Sequence, residues 1–201
     1  AKWKEINADA YIFPTAHMQR DLGLLVDHGI TIYHHYRPDI QKNPLRKAVK
    51  KIGYEGASYL GEWATIFENA CKKRNIEFIV NPPNYTDLDI VILARGGEHG
   101  SFLAKNYKSN VKLANAYGSG TPVLAHVDEM SAHDTDTGDV LFFTNSPSSF
   151  ERQLDKLINN YELRKSIHLN FLTIAQQFNI LNIANQFEYF FQNITQDKKR
   201  G

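Results

Sequence analysis

Between Ser109 and Ala125 the chain reads SNVKLANAYGSGTPVLA and changes register twice. Polar residues open it, Val111, Leu113 and Ala114 give a short helical run, and Ser109 or Asn110 is suited to cap the first turn. Gly118 and Gly120 are expected to end that helix, after which Thr121–Ala125 reads as an apolar strand entered through Pro122. A helix N-terminus carries unpaired backbone N–H groups and a partial positive charge, and Lys112 lies in the first turn, so the segment is suited to receive an anion such as phosphate.

The same alternation runs along the whole chain. Ala10–Phe13 reads as a strand, Ala16–His28 as a helix closed by Gly29, and Ile30–Tyr33 as a second strand, with His34–Asp39 made extended by Pro38. Residues 41–51 are basic and broken by Pro44, which reads as a linker or an exposed short helix. Lys51–Gly56 gives a strand and glycine turn, and Tyr59–Arg74 places Leu60, Trp63, Ala64, Phe67 and Cys71 at helical spacing. Ile76–Val80 and the nearly all-apolar Asp89–Ala94 are further strands, the second patterned for burial on both faces. Val127–Thr137, rich in Asp, Ser, Thr and His, reads as a surface loop, and Asp139–Phe143 as a strand. A helix then starts at Ser146-Pro147, with Leu154, Leu157, Ile158 and Tyr161 as its apolar stripe, and Ile167–Ile194 is a long helical run. Strands alternating with helices predict an α/β fold with a parallel sheet.

With 201 residues and 42% hydrophobic content the chain can bury a proper core. The expected division is an N-terminal β-α-β segment and linker over 1–50, a main unit over 51–195 and a polar tail over 196–201, together one compact body. A net charge of +1 gives no general field for nucleic acid, and the basic patches at 47–51 and 198–200 read as solvated faces or tail. The single Cys71, on an apolar helical stripe, rules out an intramolecular disulfide and reads as packing. No apolar run is long enough for a bilayer and no signal peptide opens the chain, so the expected compartment is cytoplasmic. The glycosylation patterns at Asn84-Tyr85-Thr86 and Asn193-Ile194-Thr195 then read as chance.

Lys112-Leu113-x-x-Ala116 followed by Gly118-x-Gly120-Thr121-Pro122-Val123 resembles the nucleotide-sugar donor motif in the C-terminal domain of GT-B glycosyltransferases. The resemblance spans roughly Ile52 to Ile194, including Tyr161-Glu162-Leu163-Arg164 after a strand and helix, and extends loosely to the N-terminus. It implies a Rossmann-like parallel sheet with helices on both faces, forming one half of a GT-B enzyme. The helix N-terminus would face the donor's diphosphate, and a helix glutamate would bind the ribose. That glutamate position is Asn115 here, and the related two-glutamate pattern falls on Tyr107 and Asn115, so neither carboxylate is present. A complete GT-B enzyme has two such domains; this chain has room for one plus the N-terminal segment, which implies a donor half, a reduced enzyme, or work with a partner chain or as a homo-oligomer.

Ligands of open α/β sheets bind beyond the carboxyl ends of the strands, which singles out the loops at 54–58, 82–85, 95–100 and 109–112. Gly56 is suited to close phosphate approach or to an ordinary tight turn, and Arg95 to a bidentate phosphate or base contact or to the surface. Lys112, Ser109, Asn110 and Asn115 complete the donor and phosphate candidates, with helix capping as the competing use. Glu129 follows the strand at the position where the resemblance implies an acidic residue near the transferred sugar. His126 and His133 flank it as candidates for proton transfer, His126 with Glu129 forming the catalytic set. His34 and His35 would point to opposite faces of a strand and are poorly placed to share an ion, so no metal site is expected. Dinucleotide, Walker and nucleophile-elbow glycine motifs are absent. The function expected is transfer of sugar from a nucleoside diphosphate sugar, as co-substrate and with no other cofactor, to an acceptor such as a glycan or protein. The alternatives are a non-catalytic nucleotide-, glycan- or protein-binding module and a nucleotide-binding oxidoreductase or flavodoxin-like carrier.

Overall fold

The computed structural model describes residues 8–26, 28–56, 60–97 and 100–198. The chain opens with strand β1 (Tyr11–Phe13), helix α1 (Ala16–Leu22) and strand β2 (Gly29–Thr31), and the two strands pair in parallel with Ile12 opposite Ile30. The hydroxyl of Thr15 accepts from the Met18 N–H at 3.1 Å and starts α1. The expected helix to His28 instead stops at Leu22 and tightens into a 3₁₀ turn over Gly23–Leu25, where glycine contributes little helical propensity; Asp27 lies outside the described residues.

The next segment, residues 32–50, forms neither helix nor strand, and most of residues 41–50 are exposed as a linker would be, but hydrogen bonds pin it to the main unit. His34 and Arg37 donate their backbone N–H groups to the side-chain oxygens of Asn110 and Asn115, both at 2.9 Å, and Asn43 donates its own to Ser119 O at 2.7 Å. Asn43 is buried, and its amide also donates to the carbonyls of Tyr85 and Leu88. The segment is therefore strapped onto the main unit by polar groups that sequence periodicity does not display.

The main unit runs β3 (Lys51–Tyr54), α2 (Trp63–Lys72), β4 (Glu77–Val80), β5 (Ile90–Leu93), α3 (Phe102–Tyr107), α4 (Val111–Ser119), β6 (Val123–His126), α5 (Met130–Thr135), β7 (Leu141–Phe143), α6 (Pro147–Asn159), α7 (Tyr161–Ile174) and α8 (Ile180–Lys198). Its five strands form one parallel sheet in the order β4-β3-β5-β6-β7. Right-handed crossovers put α2, which moves one way along the sheet, and α4, which moves the other, on opposite faces. Phe67 of α2 meets Phe150 of α6 with ring centroids 4.6 Å apart, while Tyr117 of α4 meets Phe171 of α7 at 4.7 Å. β5 and β6 are buried at every position, as expected for strands covered on both faces.

Gly118 lies inside α4, where a Cβ would fall 2.7 Å from the Tyr36 ring, and Gly120 alone ends the helix, in the left-handed region at φ +70°. Residues 127–137 are not a surface loop: α5 forms within them, with Ser131, Ala132 and Thr135 buried. The long C-terminal run is broken by a 3₁₀ turn over Ala175–Phe178, and the Asn179 side chain then accepts from the Asn182 N–H at 2.9 Å to begin α8. α8 enters the stretch read as a tail, and residues 199–201 lie outside the described ones. Tyr59, where the α2 helix was expected to start, and Glu98 and His99 of the loop after β5 are likewise outside them. Among the described residues no helix is long and apolar enough to cross a membrane.

Candidate functional site

The strand order reverses between β3 and β5: from β3 the chain moves outward to β4, and from β5 it moves the opposite way to β6. Their carboxyl ends flank the crevice where ligands of open α/β sheets bind, and the first turn of α4 faces the same edge.

Gly56, two residues beyond β3, approaches the Lys112 side chain so closely that a Cβ would lie 2.9 Å from Nζ and 2.7 Å from the Tyr54 hydroxyl. The Gly56 N–H is itself engaged, donating to Asn81 Oδ1 at 2.7 Å, so the close approach here is made to the ammonium. Lys112 Nζ lies 4.5 Å from the centre of the Tyr54 ring and 3.5 Å from its hydroxyl, and no carboxylate among the described residues comes within 4.0 Å of it. Burial pushes the Lys112 pKa down to about 8 against the pull of Glu129, and Arg95 adds to the depression. An ammonium with no ion-pair partner within 4.0 Å among the described residues, at the first turn of a helix beside a topological switch point, is an arrangement that an anion completes.

Arg95 follows β5 as expected, but its Nε donates to Glu129 Oε2 at 3.0 Å, the two side chains being 10% and 4% exposed. Glu129 thereby fixes Arg95, and its other oxygen is buried without a hydrogen-bond partner among the described residues. His126 is 1% exposed, packed against Trp63 and Phe143 at 5.3 and 5.2 Å between ring centroids, and its Nδ1 accepts from the Asp128 N–H at 3.1 Å. Burial lowers its pKa, which favours the neutral ring. His133 stacks on Phe142 at 4.1 Å and donates to Val127 O at 2.8 Å.

Asn110 occupies the N-cap position of α4 without a side-chain capping bond, since its oxygen holds the backbone of His34. Ser109 lines a separate, largely apolar cavity of about 240 Å³ beside Ile32, Tyr33, Ile183 and Phe187. His34 and His35 have ring centres 5.0 Å apart, and each directs Nδ1 to a backbone carbonyl. Among the described residues no cluster of three or more metal-ligating side chains occurs.

Asn115 accepts from the Arg37 N–H through Oδ1 and donates Nδ2 to Glu55 Oε2 at 3.1 Å. Glu55 directly follows β3, and the same Oε2 accepts from the buried Tyr85 hydroxyl at 2.5 Å; Oε1 lies 3.9 Å from Arg37 Nη1. Burial, then Glu55, raise the Tyr85 pKa well above 10, so the phenol remains a donor. Sequence reasoning missed Glu55, Arg37 and Tyr85 as a group. The available signal was an acidic residue immediately after a predicted strand at the ligand edge. Asn84, read as a chance glycosylation match, caps the turn that seats Tyr85 by accepting from the Thr86 N–H at 3.2 Å.

No protein-family model matches the chain, and no curated protein matches it. Solved structures do match its fold. A lipopolysaccharide outer core galactosyltransferase, WaaB in its apo form, is similar at TM-score 0.62 and 11% identity over 95% of this chain and 62% of its own. S. aureus TarM, as a mutant in complex with fondaparinux, alpha-GlcNAc-glycerol and UDP, is similar at TM-score 0.57 and 14% identity over 91% of this chain and 44% of its own. The GtfA/B complex is similar at TM-score 0.56 and 12% identity over 93% and 46%. The chain therefore has the fold of half a GT-B glycosyltransferase and spans about half the length of these structures.

Proposed function

We propose that the chain binds a nucleoside diphosphate sugar at the carboxyl edge of its sheet, with the diphosphate at Lys112 and the first turn of α4, for transfer of the sugar to an acceptor. The observation that carries this reading is the half-buried Lys112 ammonium, which has no carboxylate within 4.0 Å among the described residues and lies against Gly56 at the switch point. When the sugar–phosphate bond breaks, charge grows on the departing diphosphate, and fixed positive groups that meet it there lower the barrier. Lys112 and the α4 dipole supply that field, and Glu129 holds Arg95 at its side. In this reading the side-chain oxygens of Asn110 and Asn115 hold the backbone strap, and His126 is buried, with Nδ1 accepting from the Asp128 N–H and Nε2 without a hydrogen-bond partner among the described residues.

Titration with UDP, GDP, CDP and ADP tests the reading. At least one should bind, and Lys112→Ala should weaken it about tenfold to a hundredfold, the loss of a charge-assisted phosphate contact. Unchanged affinity in the variant would sink the assignment. A second reading, a non-catalytic nucleotide-binding module, is favoured by the Arg95–Glu129 pair already satisfying part of the site's charge. Binding of a nucleotide sugar with neither transfer nor hydrolysis would select it.

A further inference from the structure

We infer that Tyr54 is the positioning residue for Lys112: its ring is a neutral seat that keeps the ammonium charged and in place at the anion position, where a carboxylate would compete with the ligand. The inference rests on the proposed diphosphate binding and adds the residue that prepares the site for it.

Tyr54 ends β3, where the register sets it between Val80 of β4 and Ile92 of β5, and its carbonyl accepts from the Asn81 N–H at 2.7 Å. Its side chain is fully buried, so close packing fixes the ring. Lys112 reaches this ring from the first turn of α4. Its Nζ lies 4.5 Å from the ring centre and donates to the hydroxyl at 3.5 Å, and a Cβ on Gly56 would crowd both partners. Burial disfavours the charged lysine, and the surrounding charges are mixed. Glu129 after β6 and Glu55 after β3 favour the ammonium, while Arg95 after β5 and Lys108 before α4 oppose it. Neither carboxylate comes within 4.0 Å of Nζ. A carboxylate in contact would hold the proton on the lysine, but it would also repel phosphate from the same spot. The face of an aromatic ring attracts a cation and carries no net charge, so the ammonium is held and its charge stays available to an anion.

The test uses the whole chain with Tyr54→Phe, which keeps the ring, and Tyr54→Leu, which removes it. NMR titration of the ligand-free protein, with its lysines labelled at the ε-carbon, follows Lys112 directly. Lys112 should titrate near pH 8 in the parent and in Tyr54→Phe, and about one pH unit lower in Tyr54→Leu. The affinity for whichever of UDP, GDP, CDP and ADP binds should start to fall that much earlier in Tyr54→Leu and unchanged in Tyr54→Phe. A tyrosine that merely filled the core would, on removal, weaken binding at every pH and leave the Lys112 midpoint in place. An unchanged midpoint in folded Tyr54→Leu therefore overturns the inference and leaves the proposed function standing. If Tyr54→Leu does not fold, the parent decides: protons over a ring face are shielded, so the Lys112 ε-methylene should resonate upfield of the other lysines, and an ordinary position overturns the inference. Failure of every diphosphate to bind the parent overturns both.

Discussion

Lys112 is where local sequence and burial pull in opposite directions. Its place in the first turn of α4 was readable from the helix-to-strand pattern, but only the fold shows that it is partly buried and that its pKa falls to about 8. The sign of the consequence differs for stability and for binding. The unfolded lysine titrates at about 10.4, so between pH 8 and that value the unfolded chain holds the extra proton and the Lys112 contribution to stability rises with pH. Diphosphate binding needs the charged form and therefore weakens over the same window. The diphosphate group is almost fully ionised above pH 7.5, its last pKa being near 6, so it adds no titration of its own, and keeping below pH 9 avoids ionising the uracil or guanine ring. Affinity for the UDP-class ligand should fall above pH 8 with a slope approaching tenfold per unit, and Lys112→Arg, which stays charged, should flatten the slope. Calorimetric titration from pH 7 to 9 checks this, and a flat wild-type profile would remove Lys112 from the site.

At the scale of elements, the sheet strands were legible because most are short apolar runs set off by a turn or polar residue on at least one side, as Ile90–Leu93 is by Asp89 and Val123–His126 by Gly120 and Pro122. α3 and α5, at six residues each, were not: FLAKNY and MSAHDT are too short to show a helical period. The buried Arg164 is a related case. Its guanidinium donates to the Leu157 and Ile158 carbonyls at the end of α6 and to Arg46 and Lys47 of the strap, contacts that no local pattern announces. The Glu55–Asn115–Tyr85–Arg37 group was hidden for the same reason, since it joins four separated segments through the strand order. The end of α4 makes a test at this scale. Gly120 sits at φ +70°, and a Cβ there would meet His168 Nδ1 at 2.6 Å, whereas Gly138 at φ +96° has nothing within 4 Å. Gly120→Ala should cost about 2–3 kcal/mol, strain plus overlap, and lower Tm by roughly 4–10 °C. Gly138→Ala carries the strain alone, about 1 kcal/mol and roughly 2–4 °C. Equal shifts in the two variants would show that packing at His168 does not limit this cap.

Over the whole molecule, the packed core is confined to the main unit. The cluster of buried apolar side chains runs from Val49 to Phe178 and takes no member from the β1–α1–β2 segment, whose own buried apolar residues are Phe13 and, directly after β2, Ile32. That segment is attached by polar contacts: His17 N–H to Asp134 Oδ2 at 3.1 Å, Thr15 to Asn106 O at 3.4 Å, and Tyr107 to Asp21 at 2.8 Å. A two-stranded sheet with strands of three residues and a helix with no buried side chain has little apolar area to hold it closed. The five-stranded sheet has both faces covered and should open only when the whole unit unfolds. Native-state hydrogen exchange should therefore separate the two. The Tyr11 and Ile32 amides, bonded across the small sheet, should exchange at least about a hundredfold faster than those of Asp89 and Val91 in the large one. That ratio corresponds to about 2.7 kcal/mol between local and global opening. Matching protection would mean that the strap through Asn110, Asn115 and Asn43 couples both sheets into one cooperative unit. In that case any ligand that stabilises the main unit would raise the protection of β1 and β2 together with that of β3 and β5.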